Sequence, residues 1–275
     1  MSSTLIAPDL DTSYSLSDER IQFFREKGYV TLKEVFSAST LSWYGREITE
    51  QVKALNVNNQ PMEQRSTYQK AFLQIINLWQ HSALVKEFVF GKRLARIAAE
   101  LLGTRGTRLY HDQALYKEAG GGITPWHADQ FYWPLATPLS VTAWIPLQAT
   151  PLEMGPLSFA AQSHHFRMGR DLGISDDSER QLAQMLRERN FDTVQEPFDL
   201  GEVSFHYGWT FHRAGVNSSS KPREVMTIIY MDIDMKMGEH ANKSQQADAD
   251  NFCPGVRSGE VIASPLNPVL YEAQA

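Results

Sequence analysis

One cysteine, Cys253, stands in 275 residues. No intrachain disulfide can form, and one chain cannot build a thiolate metal cluster. A reducing, cytoplasmic compartment is expected. Runs of about 18 consecutive apolar residues are absent, and Met1 to Asp11 shows no basic region leading into an apolar stretch, so neither a membrane helix nor a signal peptide is expected. Positive charge is also scarce. With 26 Lys+Arg against 32 Asp+Glu the formal net charge is −6, which gives no general attraction for phosphate backbones or anionic lipid. Nucleic acid and membrane are therefore not expected as partners, and the oligomeric state is left open.

At 42% hydrophobic and 21% charged residues, disorder is excluded as the main state. A chain of this length buries enough surface to fold without structural metal, so any metal would serve chemistry. Residues 1–16 are small and polar, and a loose leader is expected there. Ser17 then offers an N-cap and Gly28 a C-cap for a first helix, followed by a short strand over Tyr29–Leu32. Ser37 to Leu55 reads as a second helix, with Leu41, Tyr44, Ile48 and Val52 at helical spacing as its core face. Further helices fit Lys86–Phe90 and Arg93–Leu102. From Thr107 the pattern changes to short β-branched and aromatic runs: Thr107–Lys117, Val141–Leu147, Leu157–Ala160, Glu202–His206 and Glu224–Asp232. Asp176 to Asn190 is a charged insert read as a solvated surface helix. One domain is expected: a helical part over 17–104, a mainly β core over 105–235, and a tail over 236–275 with no helix or strand pattern, which wraps the core or covers a site.

The densest chemical signal is Thr124-Pro125-Trp126-His127-Ala128-Asp129. On a strand, residues two apart share a face, so His127 and Asp129 set an imidazole beside a carboxylate. A third ligand is required, and His111, His164, His165, His206, His212 and His240 are the candidates. His212 lies at the end of an apolar strand before a turn. Eleven residues on, Arg223 opens the apolar run Val225–Tyr230, and a basic residue facing inward needs an anion. Two histidines and one carboxylate on one face of an octahedral metal leave open positions for a chelating co-substrate and O2, which suits Fe(II). An Arg at a distance can pair with the far carboxylate of a keto acid.

With these residues in view, the chain resembles the phytanoyl-CoA dioxygenase-like branch of the Fe(II)/2-oxoglutarate-dependent oxygenases, which includes ectoine hydroxylase. The resemblance begins at Ile21 to Val30 and passes through His127-Ala128-Asp129 and Met154 to His164. It ends with His212, Asn217 and Arg223. It implies an α+β fold whose mainly β core is a double-stranded β-helix, a cupin-like jelly-roll buttressed by N-terminal helices. It implies iron bound by His127, Asp129 and His212, and the distal carboxylate of 2-oxoglutarate on Arg223. Gln113 matches a position that touches the co-substrate, and Trp144, two residues after Thr142, sits where a family Trp lines the same pocket.

Trp133 falls where ectoine hydroxylase has a Trp near its site. Phe131, Tyr132, Gln74, Asn77 and Trp79 are the further candidates for the substrate wall. The activity implied is oxidation of a C–H bond of a small to medium organic molecule by O2, with release of succinate and CO2. Two departures stand out. Ala214 replaces the usual Ser two residues after the distal His, and Ala161-Gln162 replaces a Pro-Gly turn. A cupin-like metalloenzyme that does not use 2-oxoglutarate, and a non-catalytic 2-oxoglutarate-binding module, remain as alternatives.

Overall fold

The computed structural model describes residues 9–57 and 60–274. The first part of the chain runs α1 (Asp18–Lys27), β1 (Tyr29–Leu32), α2 (Ala38–Leu55), α3 (Thr67–Ala71), β2 (Leu73–Ile76), α4 (Ala83–Val89) and α5 (Lys92–Leu102). Then come β3 (Gly106–Tyr116), β4 (Thr124–His127), β5 (Ser140–Pro146), β6 (Leu157–Ala160), α6 (Asp176–Glu188), β7 (Thr193–Gln195), β8 (Val203–Tyr207), β9 (His212–Ala214) and β10 (Val225–Asp232). The tail adds α7 (Lys243–Phe252) and β11 (Val269–Glu272).

The strands form two antiparallel sheets. The larger has the order β1-β8-β5-β10-β3-β11, with β2 also paired to β3, and the smaller has the order β4-β9-β6-β7. Together they make the jelly-roll expected from the resemblance. One face of the large sheet carries Ala114, Val141, Ala143, Ile145, Phe205, Met226 and Ile228, all packed with the helices. The opposite face carries His111, Gln113, Thr142, Trp144, His206 and Thr227, a consequence of strand alternation.

The helices start and stop where local chemistry directs. The Ser17 hydroxyl accepts from Arg20 N, and Gly28 closes α1 at φ 87°, a left-handed conformation that glycine adopts without strain. Ser37 caps α2, whose Leu41, Tyr44, Ile48 and Val52 are all at most 3% exposed. Each such buried aliphatic or aromatic side chain contributes about 1.5–3 kcal/mol of hydrophobic stabilisation.

Three expectations require correction. The leader is not loose over residues 9–16. Leu10 is buried in the main core and its carbonyl accepts from Arg93 N, while the Asp9 carboxylate accepts from Ser37 N at 2.7 Å; residues 1–8 lie outside the described residues. The charged insert is solvated on one side only, because α6 buries Ser178, Leu182 and Leu186 against the small sheet. The tail holds a helix and a strand. Asn242 caps α7, which buries only Gln245, Ala249 and Phe252, too few apolar residues to mark a helix by pattern.

Candidate active site

His127 and His212 are 85 positions apart in the chain, yet they are direct cross-strand partners on β4 and β9. Their ring centroids are 4.2 Å apart. β4 ends at His127, Ala128 stays extended, and Asp129 opens a 3-10 turn, so the strand parity that sets His127 and Asp129 on one side survives the end of the strand. His212 opens β9 instead of closing a strand, a correction to its expected place. One ligand atom from each of His127, Asp129 and His212 lies within 4.8 Å of the others. Asp129 Oδ1 is 3.5 Å from His127 Nε2 and 3.6 Å from His212 Nε2.

The tautomers follow from the backbone. His127 Nδ1 is 2.8 Å from the Pro125 carbonyl and His212 Nδ1 is 2.9 Å from the Thr210 carbonyl. A carbonyl only accepts, so each Nδ1 carries the proton and each Nε2 presents its lone pair to the shared space. Burial, with repulsion from His127, holds His212 well below the usual imidazole range. Burial alone would raise the Asp129 carboxyl. Its close polar contacts with the histidines, His212 first and then His127 and His206, outweigh that and hold the group far below the usual carboxylate range. Neutral imidazoles and an ionised carboxylate are the donor states a divalent cation requires.

A cavity of about 260 Å³ opens over these residues. Arg223 lies along its wall, 1% exposed, with its guanidinium 5.4 Å from the Trp144 ring centre. One Nη donates to the Gly155 carbonyl, Nε has no hydrogen-bond partner, and no carboxylate pairs with it among the described residues. Burial lowers its pKa to about 9, which leaves it cationic at neutral pH. A buried, unpaired guanidinium calls for an anion.

Gln113, Thr142, Trp144, Trp133, Tyr132 and Gln74 also line the cavity. Tyr68, Gln74 and Gln113 form a relay, since the Tyr68 hydroxyl donates to Gln74 Oε1 and Gln74 Nε2 donates to Gln113 Oε1. Ala214 is on the wall too, and its methyl offers no hydrogen bond where a Ser would.

Asn77, Phe131 and Trp79 are not on the wall. Asn77 follows the end of β2 in a left-handed conformation, φ 52°, and its N–H donates to Asp112 O. Phe131 sets its ring edge-on against Tyr132, and Trp79 packs on Phe90. Wall residues that sequence reasoning did not place in the site include Tyr68, Thr227, Phe252 and Asp248, while His111 and His206, candidates there for the third metal ligand, line the wall outside the His127, Asp129 and His212 cluster. His206 sits six residues before His212, on β8. Nothing in the tail marked Asp248.

The family model for phytanoyl-CoA dioxygenase (PhyH) matches residues 24–225. A probable alpha-ketoglutarate-dependent hypophosphite dioxygenase of Stutzerimonas stutzeri is 22% identical over 229 residues, covering 77% of each chain. Among solved structures, the non-heme alpha ketoglutarate dependent carbocyclase SnoK from nogalamycin biosynthesis is 23% identical, with a TM-score of 0.75 over 94% of this chain and 98% of that one. EctD from S. alaskensis, solved with 2-oxoglutarate and 5-hydroxyectoine, is 18% identical, with a TM-score of 0.69 over 95% and 91%. At these identities the solved structures show a shared fold.

Proposed function

The chain belongs to the phytanoyl-CoA dioxygenase (PhyH) family, and from that premise we propose how its own residues serve an Fe(II)- and 2-oxoglutarate-dependent oxygenase. The enzyme oxidises a C–H bond of a small to medium organic molecule and releases succinate and CO2. Iron is held by His127, Asp129 and His212. Arg223 binds the distal carboxylate of 2-oxoglutarate, with Trp144, Thr142 and Gln113 around it. The observation that carries this reading is a three-donor cluster and an unpaired, buried guanidinium on the wall of one cavity.

When bound, iron and keto acid together supply the activation of O2. The chain supplies position. The backbone carbonyls of Pro125 and Thr210 fix the imidazoles, and Arg223 orients the co-substrate by a charge-assisted, forked contact. The aromatic side chains Trp133, Trp144 and Tyr132 exclude water from the reacting centre. The alternative without 2-oxoglutarate leaves Arg223 buried and unpaired, so it is disfavoured. Helical buttress, jelly-roll and tail act as one oxygenase domain. Among the described residues no helix is long and apolar enough to cross a membrane. A cytoplasmic place fits the single buried cysteine.

The test is an anaerobic titration of the apoprotein with Fe(II) and 2-oxoglutarate, following the weak visible charge-transfer band of the chelate. The band should form in the wild type and weaken in Arg223→Ala. Iron bound without a band would overturn the 2-oxoglutarate assignment.

A further inference from the structure

The part of the cavity that the metal ligands and Arg223 leave free is chemically one-sided. Aromatic side chains line it, Tyr68, Tyr132, Trp133 and Phe252 among them, and α7 brings Asp248 to the same wall. The helix is fixed in that place. Asn242 Nδ2 and Gln245 Nε2 each donate to the Phe131 carbonyl at 3.2 Å, at the end of the turn that begins with Asp129. Asp248 accepts one weak hydrogen bond from the Tyr110 hydroxyl at 3.3 Å and forms no ion pair with Lys or Arg among the described residues. On the same wall His111, 4% exposed, stacks on Phe252 at 4.4 Å, and its Nδ1 has no hydrogen-bond partner among the described residues.

Among the described residues Arg223 is the one Lys or Arg on the cavity wall, and the keto acid takes it. An anionic substrate, such as the small oxyanion in the name of the Stutzerimonas relative, therefore meets an acidic and aromatic wall with no second cation. An ammonium group meets the opposite: a carboxylate lacking a counter-ion, aromatic faces that attract cations, and a neutral imidazole able to accept. We propose that the substrate carries a protonated amine that pairs with Asp248 and lies among these rings, with the C–H bond to be oxidised directed toward Asp129. The substrate class deepens the oxygenase assignment and rests on it for the position of that bond alone. Supporting this, burial raises the Asp248 carboxyl to about 7, and a bound ammonium returns it to the ionised form. Burial also lowers His111 to about 4, so it adds no positive charge.

Three probes of similar size separate the charge classes: 2-phenylethylamine, 2-phenylethanol and phenylacetate. Each is titrated calorimetrically into anaerobic protein loaded with Fe(II) and 2-oxoglutarate, in wild type and in Asp248→Asn. The amine should bind about tenfold or more tighter than the alcohol and the acid, and Asp248→Asn should abolish that preference. Equal binding of the three, preference for phenylacetate, or an amine preference that survives in Asp248→Asn overturns the proposal. The charge-transfer band is read in the same samples. A band without amine preference removes the substrate class and leaves the oxygenase standing. Amine preference without a band does the reverse.

Discussion

Thr142 holds Asp129, its hydroxyl donating to Oδ2 at 3.0 Å. On the adjacent strand His206 is the cross-strand partner of Thr142, and its Nε2 lies 3.3 Å from the same oxygen. The large sheet thus engages the outer oxygen of a carboxylate that belongs to the small sheet's end. Oδ1 is left facing His127 and His212. The two sheets are linked at the one residue whose orientation decides whether three donors can meet one ion.

Removing that hold should weaken metal binding without unfolding the protein. Thr142→Val keeps the side-chain shape and deletes the donor. The Fe(II) dissociation constant should rise about tenfold, in the range found when partners of metal ligands are removed. Metal titration with a thermal melt in parallel checks both halves. An unchanged constant would show that the backbone turn and His206 set Asp129 without Thr142.

Glu179 of α6 performs a similar service from the outside. Its Oε2 accepts from Trp126 N at 2.8 Å and its Oε1 from an Nη of Arg213 at 2.6 Å, so one carboxylate ties the neighbours of His127 and His212 together. Glu179→Ala leaves the Trp126 N–H and the Arg213 guanidinium without this partner, at a cost of about 2 kcal/mol. Urea denaturation should show that loss. Glu179→Gln, which retains an acceptor for Trp126, should lose less. Equal losses in the two variants would assign the effect to packing.

Periodicity reveals what is regular, and the α2 core face and the long strands are regular. The iron-type cluster was legible because His127 and Asp129 are close in sequence and Arg223 lies at a fixed step from His212. His206 and Thr142 were harder to read, since their role comes from cross-strand register between β5 and β8, which no local pattern encodes. α7 was illegible for another reason. Its contacts with Phe131 are polar and tertiary, and its three buried residues carry too little apolar character to register. Asn77, a wall candidate beside Gln74, lies off the wall, and the chain turns left-handed there directly after β2.

Gln162 occupies a left-handed conformation at φ 67°, at the place where the resembling family has Gly. A residue with a Cβ is strained there by about 1 kcal/mol, partly offset by the greater freedom glycine has in the unfolded chain. Gln162→Gly should therefore raise stability by about 0.5 kcal/mol and leave Fe(II) binding unchanged. Chemical denaturation and metal titration of the variant decide it. A loss of stability would mean that the Gln162 side chain contributes more than the strain it causes.

Lys117 is fully buried and sits across an antiparallel bridge from Arg223. Its Nζ donates to the carbonyls of Gly122 and Gly215. Burial first, then the positive charges of Arg223 and Arg213, push its pKa from the ordinary 10.5 down to about 6. Above about pH 6 the folded chain holds a neutral amine, while the unfolded chain keeps its proton up to about pH 10. The unfolded state then binds more protons, so this group makes stability rise with pH across that window, by at most about 1.4 kcal/mol per pH unit. Below pH 6 both states are protonated and the contribution is flat. Lys117→Met removes the titration and leaves two carbonyls unpaired, a cost that does not depend on pH. The stability difference, wild type minus variant, should therefore grow between pH 6.5 and 8.5 in urea titrations. A constant difference would mean that Lys117 stays charged in the fold. Arg223 would then have a second cation beside it, and 2-oxoglutarate affinity in Lys117→Met would fall. With Lys117 neutral, Arg223 alone sets the charge at that end of the cavity, and the affinity should hold.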